Sequence, residues 1–261
     1  MANFTSHIAG TFCWPELCTH NWQQGKKFYC ELFGWGSDDQ PIGPDTYYTM
    51  LQKEGLDIAA MYQMENDRIE LEVPSHWLNY IAVDDVEAKV LKAQKLGAEL
   101  LHGPHTVGDA GKMALLVEPE GAVFALWQGM LHPGSRKLKE PNTMCWNELA
   151  SRNSANSQAF YCQLFDWQVE AVDMEGMAYI FYKQGNEKVA GMLEMNEQWS
   201  EIPPHWMTYF AVENCDEIAA QAQALGAVIC VPPTDFKDVG RFSVLTDPQG
   251  ADFSIIELMA K

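Results

Sequence analysis

"GTFCWPELCTHNWQQGKKFYCELFGW", Gly10 to Trp35, returns later in the chain as "NTMCWNELASRNSANSQAFYCQLFDW", Asn142 to Trp167. Trp14 aligns with Trp146 and Phe28-Tyr29-Cys30 with Phe160-Tyr161-Cys162, both at an offset of 132. Further on, "PSHWLNYIAV" (Pro74 to Val83) matches "PPHWMTYFAV" (Pro203 to Val212), and "EPEGAVFALW" (Glu118 to Trp127) matches "DPQGADFSII" (Asp247 to Ile256), both at 129. A repeat this long means two whole domains in tandem, not a solenoid of short units. Between them "LHPGSRKLKE" has the Pro, Gly and charge of a linker. The expected division is a first domain at 1–130, a linker at 131–140 and a second domain at 141–261.

Each half is also duplicated within itself. Four times a short apolar stretch meets an Asn, Asp or Glu, a helical stretch follows, and a turn residue falls 13 positions later: Asn21 to Gly34, Asp84 to Gly97, Asn153 to Asp166, Glu213 to Gly226. The polar residue reads as a helix N-cap and the glycine as a C-terminal stop. Phe28, Leu32 and Phe33 have the spacing of one buried helical stripe. Short alternating runs such as "YYTMLQKEG" and "KMALLVEPEG" follow each helix as strands. Each half therefore reads as βαβββ followed by βαβββ, an α+β architecture of curved mixed sheets with helices outside.

The totals agree with a folded two-domain protein. At 261 residues each half can bury its own core without a disulfide or structural metal. No apolar run approaches the roughly 20 residues a membrane helix needs. The start "MANFTSHIAGTF" lacks the basic flank and apolar block of a secretory signal. Seven cysteines without a C-x-x-C suggest reduced thiols and a cytoplasmic location. A formal charge of -19 argues against nucleic acid as a partner. The expected partner is a small molecule, with homodimerisation left open.

The strand-Asn-helix-"FYCELFGW" opening, the central "YIAVDDV" and "YFAVENC", and the late "EPEGAVF" and "DPQGADF" resemble the vicinal oxygen chelate superfamily of glyoxalases, bleomycin-resistance proteins and extradiol dioxygenases. The resemblance spans nearly the whole chain outside the linker. It implies two tandem glyoxalase-like domains, each an eight-stranded cup, and a divalent metal held by residues from three strands. The first ligand position, a His or Gln in the first strand, falls on Trp14 and Trp146. The second, a His opening the fifth strand, falls on Leu78 and Met207. The third, a Glu in the last strand, falls on Ala125 and Ser254. None of these side chains is a good ligand for a hard or borderline divalent cation. The expectation is a cup without the usual metal or other cofactor, with a divalent metal on displaced ligands as the alternative.

Strand alternation suggests what fills the cups. With Trp14 pointing inward, Phe12 and Glu16 follow; the second half offers Met144, Trp146 and Glu148. Leu78, Tyr80 and Trp127 join the first cup, and Met207 and Tyr209 the second. These aromatic walls suit a hydrophobic or aromatic ligand better than a small polar one. Glu16 and Glu148 are the catalytic candidates, because a carboxyl desolvated among aromatic rings is a stronger base. The competing account is that they brace the sheet. His76 and His205, just before the fifth strands, are rim candidates for acid-base work or metal binding, or loop histidines docking the chain. With the metal alternative the function becomes that of a lyase, isomerase or dioxygenase using Glu16, His76, Glu148 or His205. His102 and His105 read as loop residues, and Cys13 as facing the helix layer. No Walker loop, G-x-S-x-G elbow or H-E-x-x-H helix is present.

Overall fold

The computed structural model describes residues 3–174 and 176–259. Its first half contains β1 (Phe12–Thr19), α1 (Trp22–Phe33), β2 (Gly36–Gly43), β3 (Thr46–Lys53), β4 (Leu56–Gln63), α2 (Asn66–Glu70), β5 (His76–Ala82), α3 (Val86–Lys95), β6 (Glu99–Val107), β7 (Gly111–Val117) and β8 (Val123–Gly129). The second half contains β9 (Met144–Ser151), α4 (Ser154–Phe165), β10 (Gln168–Met174), β11 (Met177–Gln184), β12 (Glu187–Glu194), β13 (His205–Ala211), α5 (Cys215–Ala224), β14 (Val228–Phe236), β15 (Gly240–Thr246) and β16 (Asp252–Leu258). Each half forms one eight-stranded sheet, in the orders β2-β3-β4-β1-β5-β8-β7-β6 and β10-β11-β12-β9-β13-β16-β15-β14. The two βαβββ units of a half thus join through their first strands. β1 runs antiparallel to β5, and β9 to β13, while β4, β8, β12 and β16 add parallel on the outer sides.

The capping residues act largely as their chemistry suggests. Asn21 accepts from the Gln24 N–H and Asn153 from the Asn156 N–H, and the helices stop at Gly34 and Asp166 in left-handed conformation. In α3 and α5 the cap lies one residue beyond the expected position, on Asp85 and Asn214 in place of Asp84 and Glu213. Asn214 has the short side chain that folds back onto the first turn, which Glu213 lacks. His102 and His105 lie in β6 and not in a loop.

A bulge early in β1 changes which side chains share a face. Phe12 pairs with Ile81 and Trp14 with Tyr80, so two residues of β1 answer to one of β5. Simple alternation fails there. Phe12 leaves the cup and packs behind the sheet, 4.9 Å from Trp206 and 6.4 Å from Trp167 between ring centres. Cys13, expected toward the helices, joins Trp14 on the cup side. β9 repeats the bulge, which puts Met144 in the core and Cys145 on the cup side.

Behind the sheets the halves share one core, and α1 and α4 contribute to it, not to an outer layer. Phe28 of α1 lies 6.2 Å from Phe253 of β16, and Phe160 of α4 lies 5.9 Å from Phe124 of β8. Across the centre Thr208 donates to Asn79 at 2.8 Å. Trp35 donates to the Asn142 carbonyl at 2.8 Å and Trp167 to that of Gly10 at 2.9 Å, a reciprocal exchange that reflects the repeat. The backs of the sheets are thus fastened together and the cups face away from the shared core.

Candidate functional site: two aromatic cups

In the first cup Glu16 of β1 accepts from Tyr48 of β3 at 2.6 Å and from Tyr80 of β5 at 2.9 Å, one hydroxyl on each carboxyl oxygen. Trp14 donates its indole N–H to the Tyr48 oxygen at 3.2 Å. The second cup repeats the set: Tyr179 and Tyr209 donate to Glu148 at 2.7 and 2.8 Å, and Trp146 donates to Tyr179 at 3.1 Å. Register explains the convergence. Glu16 stands opposite Leu78 and Trp14 opposite Tyr80, while Glu148 stands opposite Met207 and Trp146 opposite Tyr209. Tyr48 and Tyr179, absent from the expected site, reach in from the third strand of each half. Their signal lay in the "TYYTM" and "MAYIF" runs, which share the repeat.

Gly191 shows how closely the second set is packed. A Cβ at this position would lie 1.8 Å from the Tyr179 oxygen. The first half has Ala60 at the equivalent place, in the cup cluster with Trp14, Leu78, Tyr80, Ala125 and Trp127. Partly buried Tyr48, Met50, Met113 and Leu115 complete that wall. The second cup collects Tyr209, Ile256, Trp146, Met207 and Phe242.

Burial pushes the Glu16 and Glu148 carboxyls up, and the paired tyrosine O–H groups draw them part of the way back. Burial and the neighbouring carboxylate raise Tyr48, Tyr80, Tyr179 and Tyr209 well above an ordinary phenol. These hydroxyls therefore remain donors at neutral pH. Each cup floor presents a carboxyl with two fixed donors, a hydrogen-bonded device that can hold a ligand's polar group or take up a proton. The arrangement satisfies both carboxyl oxygens from within the protein, so bracing is built into it.

The positions that the resemblance assigns to metal ligands carry Trp14, Leu78 and Ala125 in one half and Trp146, Met207 and Ser254 in the other, on β1, β5 and β8 and on β9, β13 and β16. This donor set does not fit a divalent metal. Among the described residues no three His, Cys, Asp or Glu side chains gather as a ligand set. His76 and His205 sit at the strand entrances, each with Nδ1 on the carbonyl of the proline two residues earlier, Pro74 at 2.8 Å and Pro203 at 2.9 Å. Burial lowers the His76 pKa.

The mouths of the cups differ. In the first, His132 from the inter-domain segment meets Trp14 edge-on at 4.6 Å, and Trp127 donates to its carbonyl at 2.9 Å. Gly134 packs against the Cys13 backbone, while Ser135 is fully buried and bonds to the carbonyls of Cys13 and Ile58. Trp14 is consequently 4% exposed, whereas Trp146 is only half-buried.

The sequence profile of the Glyoxalase/Bleomycin resistance protein/Dioxygenase superfamily matches residues 6–126 and again 146–255. The chain belongs to this superfamily, as a tandem two-domain member. It is 38% identical over 259 residues, 98% of each chain, to proteins named "Putative glyoxylase CFP32" in Mycobacterium tuberculosis and Mycobacterium bovis. It is 28% identical over 266 residues to the "Anthracycline biosynthesis protein DnrV" of Streptomyces peucetius, covering 97% of this chain and 95% of that one. Among solved structures, the Mn(II)-bound glyoxalase from Novosphingobium aromaticivorans superposes with a TM-score of 0.66 at 15% identity, over 96% of this chain and 83% of that one. The 2,3-dioxygenase LapB from Pseudomonas sp. KL28 gives 0.64 at 14%, over 96% and 93%. At these identities the structural likeness speaks for the fold.

Proposed function

We propose that this chain binds a hydrophobic or aromatic small molecule in its cups and does so without the divalent metal of its superfamily. The observation that carries the reading is the Trp–Tyr–Glu–Tyr set, built twice beside positions where the superfamily keeps metal ligands. Aromatic walls supply area to a flat ligand, and the desolvated carboxyl with its two hydroxyls is the polar group that orients it. The name of the anthracycline biosynthesis relative supports a fused aromatic as the class to try first.

The test is thermal denaturation of chelator-treated protein against a panel of flat aromatic compounds. A binder at about 100 times its Kd adds about 2.7 kcal/mol of stability. The expected outcome is a raised Tm that Tyr80→Phe or Tyr209→Phe diminishes, with or without added metal. Stabilisation that returns only with manganese, iron, nickel or zinc would overturn the metal-free reading.

A further inference from the structure

We propose a second kind of binding site beside the second cup, with Trp146 as the shared wall: the cavity between the N-terminal segment and the start of β9 and β12 takes a small apolar or aromatic molecule bearing an O–H or N–H donor. The cavity holds about 290 Å³, with Phe12, Met144, Trp146 and Val189 among its walls. That volume is close to the lower end of small-molecule sites. Its roof is anchored. Phe4 and Arg136 exchange two hydrogen bonds, at 2.9 and 2.7 Å, and His7 bonds to the Ser135 carbonyl at 2.9 Å.

Two acceptors without a described donor line the cavity, Gln184 Oε1 on a partly exposed residue and, on a buried one, Oδ1 of Asn147. Asn147 is 2% exposed. Its Nδ2 donates to the Met144 sulfur at 3.4 Å. A thioether can only accept, so the amide nitrogen faces the sulfur and the oxygen remains unpaired. A buried acceptor without a partner carries an uncompensated desolvation cost, which a ligand donor recovers.

The other half shows what such a space accommodates. Asn147 corresponds to Pro15, which has no polar side chain, and Cys145 and Val189 correspond to Cys13 and Ile58. In the first half Ser135 fills the position, with N–H to the Cys13 carbonyl at 2.7 Å and Oγ to that of Ile58 at 2.6 Å. No described loop or side-chain donor makes the equivalent bonds to Cys145 and Val189. The second half therefore presents acceptors where the first has already supplied donors.

The probe is 2-naphthol, with 2-methoxynaphthalene as the matched molecule lacking the donor, titrated by calorimetry into the full-length chain. 2-Naphthol should bind about tenfold more tightly than the ether, the equivalent of about 1.4 kcal/mol. Asn147→Leu, and separately Asn147→Ala in case the larger side chain disturbs folding, should erase that preference while Tyr209→Phe leaves it intact. Equal affinity for the two probes in the wild type, or a preference that survives both Asn147 variants, overturns the proposal. A preference lost with Tyr209→Phe assigns the probe to the cup and also overturns it, while leaving the cup reading standing.

Discussion

In the first cup Trp14 is 4% exposed beneath His132; in the second the equivalent Trp146 is half-buried and borders a cavity of about 290 Å³. Below these two indoles the same polar set recurs, with Glu16 and Glu148 each held by two tyrosines. The comparison separates two causes. The carboxyl–tyrosine set comes from strand residues that the duplication copied, while the connecting segment seats His132 on Trp14 in the first cup and borders Trp146 with Leu138 and Lys139 in the second. A copied Trp–Tyr–Glu–Tyr set thus comes to sit in two environments.

The largest expected effect comes from the position opposite the carboxyl residue, where the first half has Ala60 and the second Gly191. Gly191→Ala places a methyl group on the Tyr179 ring and should cost about 3 kcal/mol in urea denaturation, through overpacking and a displaced buried hydrogen bond. The reciprocal Ala60→Gly in the first half should cost only about 1 kcal/mol. Equal losses would show that Tyr179 is not fixed where its contacts place it.

Next come the hydroxyls. Tyr80→Phe and Tyr209→Phe each leave a carboxyl oxygen without its donor and should each destabilise by about 2 kcal/mol. Similar losses in the two halves would support the equivalence of the floors. A difference above about 1 kcal/mol would place the asymmetry at the floor as well.

The carboxyls also predict a pH dependence with a definite sign. A Glu16 or Glu148 raised above its ordinary 4.5 binds a proton more tightly folded than unfolded. Its stabilising contribution is complete below 4.5 and is lost as pH rises through the folded value. Glu16→Gln and Glu148→Gln should therefore each flatten the loss of stability measured as pH rises above 4.5. A steeper loss in either variant would contradict the desolvation account.

The smallest effect makes the cups alike. His132→Ala should cost about 1 kcal/mol and increase acrylamide quenching of Trp14, read as the difference in quenching between otherwise identical proteins with Trp14 and with Trp14→Phe. Unchanged quenching would mean that His132 does not close the first mouth.

Much of this fold was legible because duplication left a ruler in the chain. The offsets of 132 and 129, the asparagine caps at Asn21 and Asn153 and the left-handed stops gave both halves and their βαβββ units. The inward direction of Trp14, Glu16 and Tyr80 followed from strand alternation. Phe12 did not, because the bulge before Trp14 breaks that alternation. Pro15 does not account for the bulge, because β9 repeats it with Asn147 in that place. The tyrosines of β3 and β11 were missed because pairing between distant strands is a tertiary fact. The inter-domain segment has the Pro, Gly and charge of a loop, but composition cannot reveal that Ser135 is buried against β1 and β4.

The most direct test of the central claim is elemental analysis of folded, tag-free protein after chelation and again after dialysis against zinc, iron, manganese and nickel. Aromatic, ligand-poor cup positions predict well under about 0.1 equivalent of retained metal per chain. About one tightly held equivalent, lost on Glu16→Gln or Glu148→Gln, would contradict the metal-free account and make the cup carboxylates ligands.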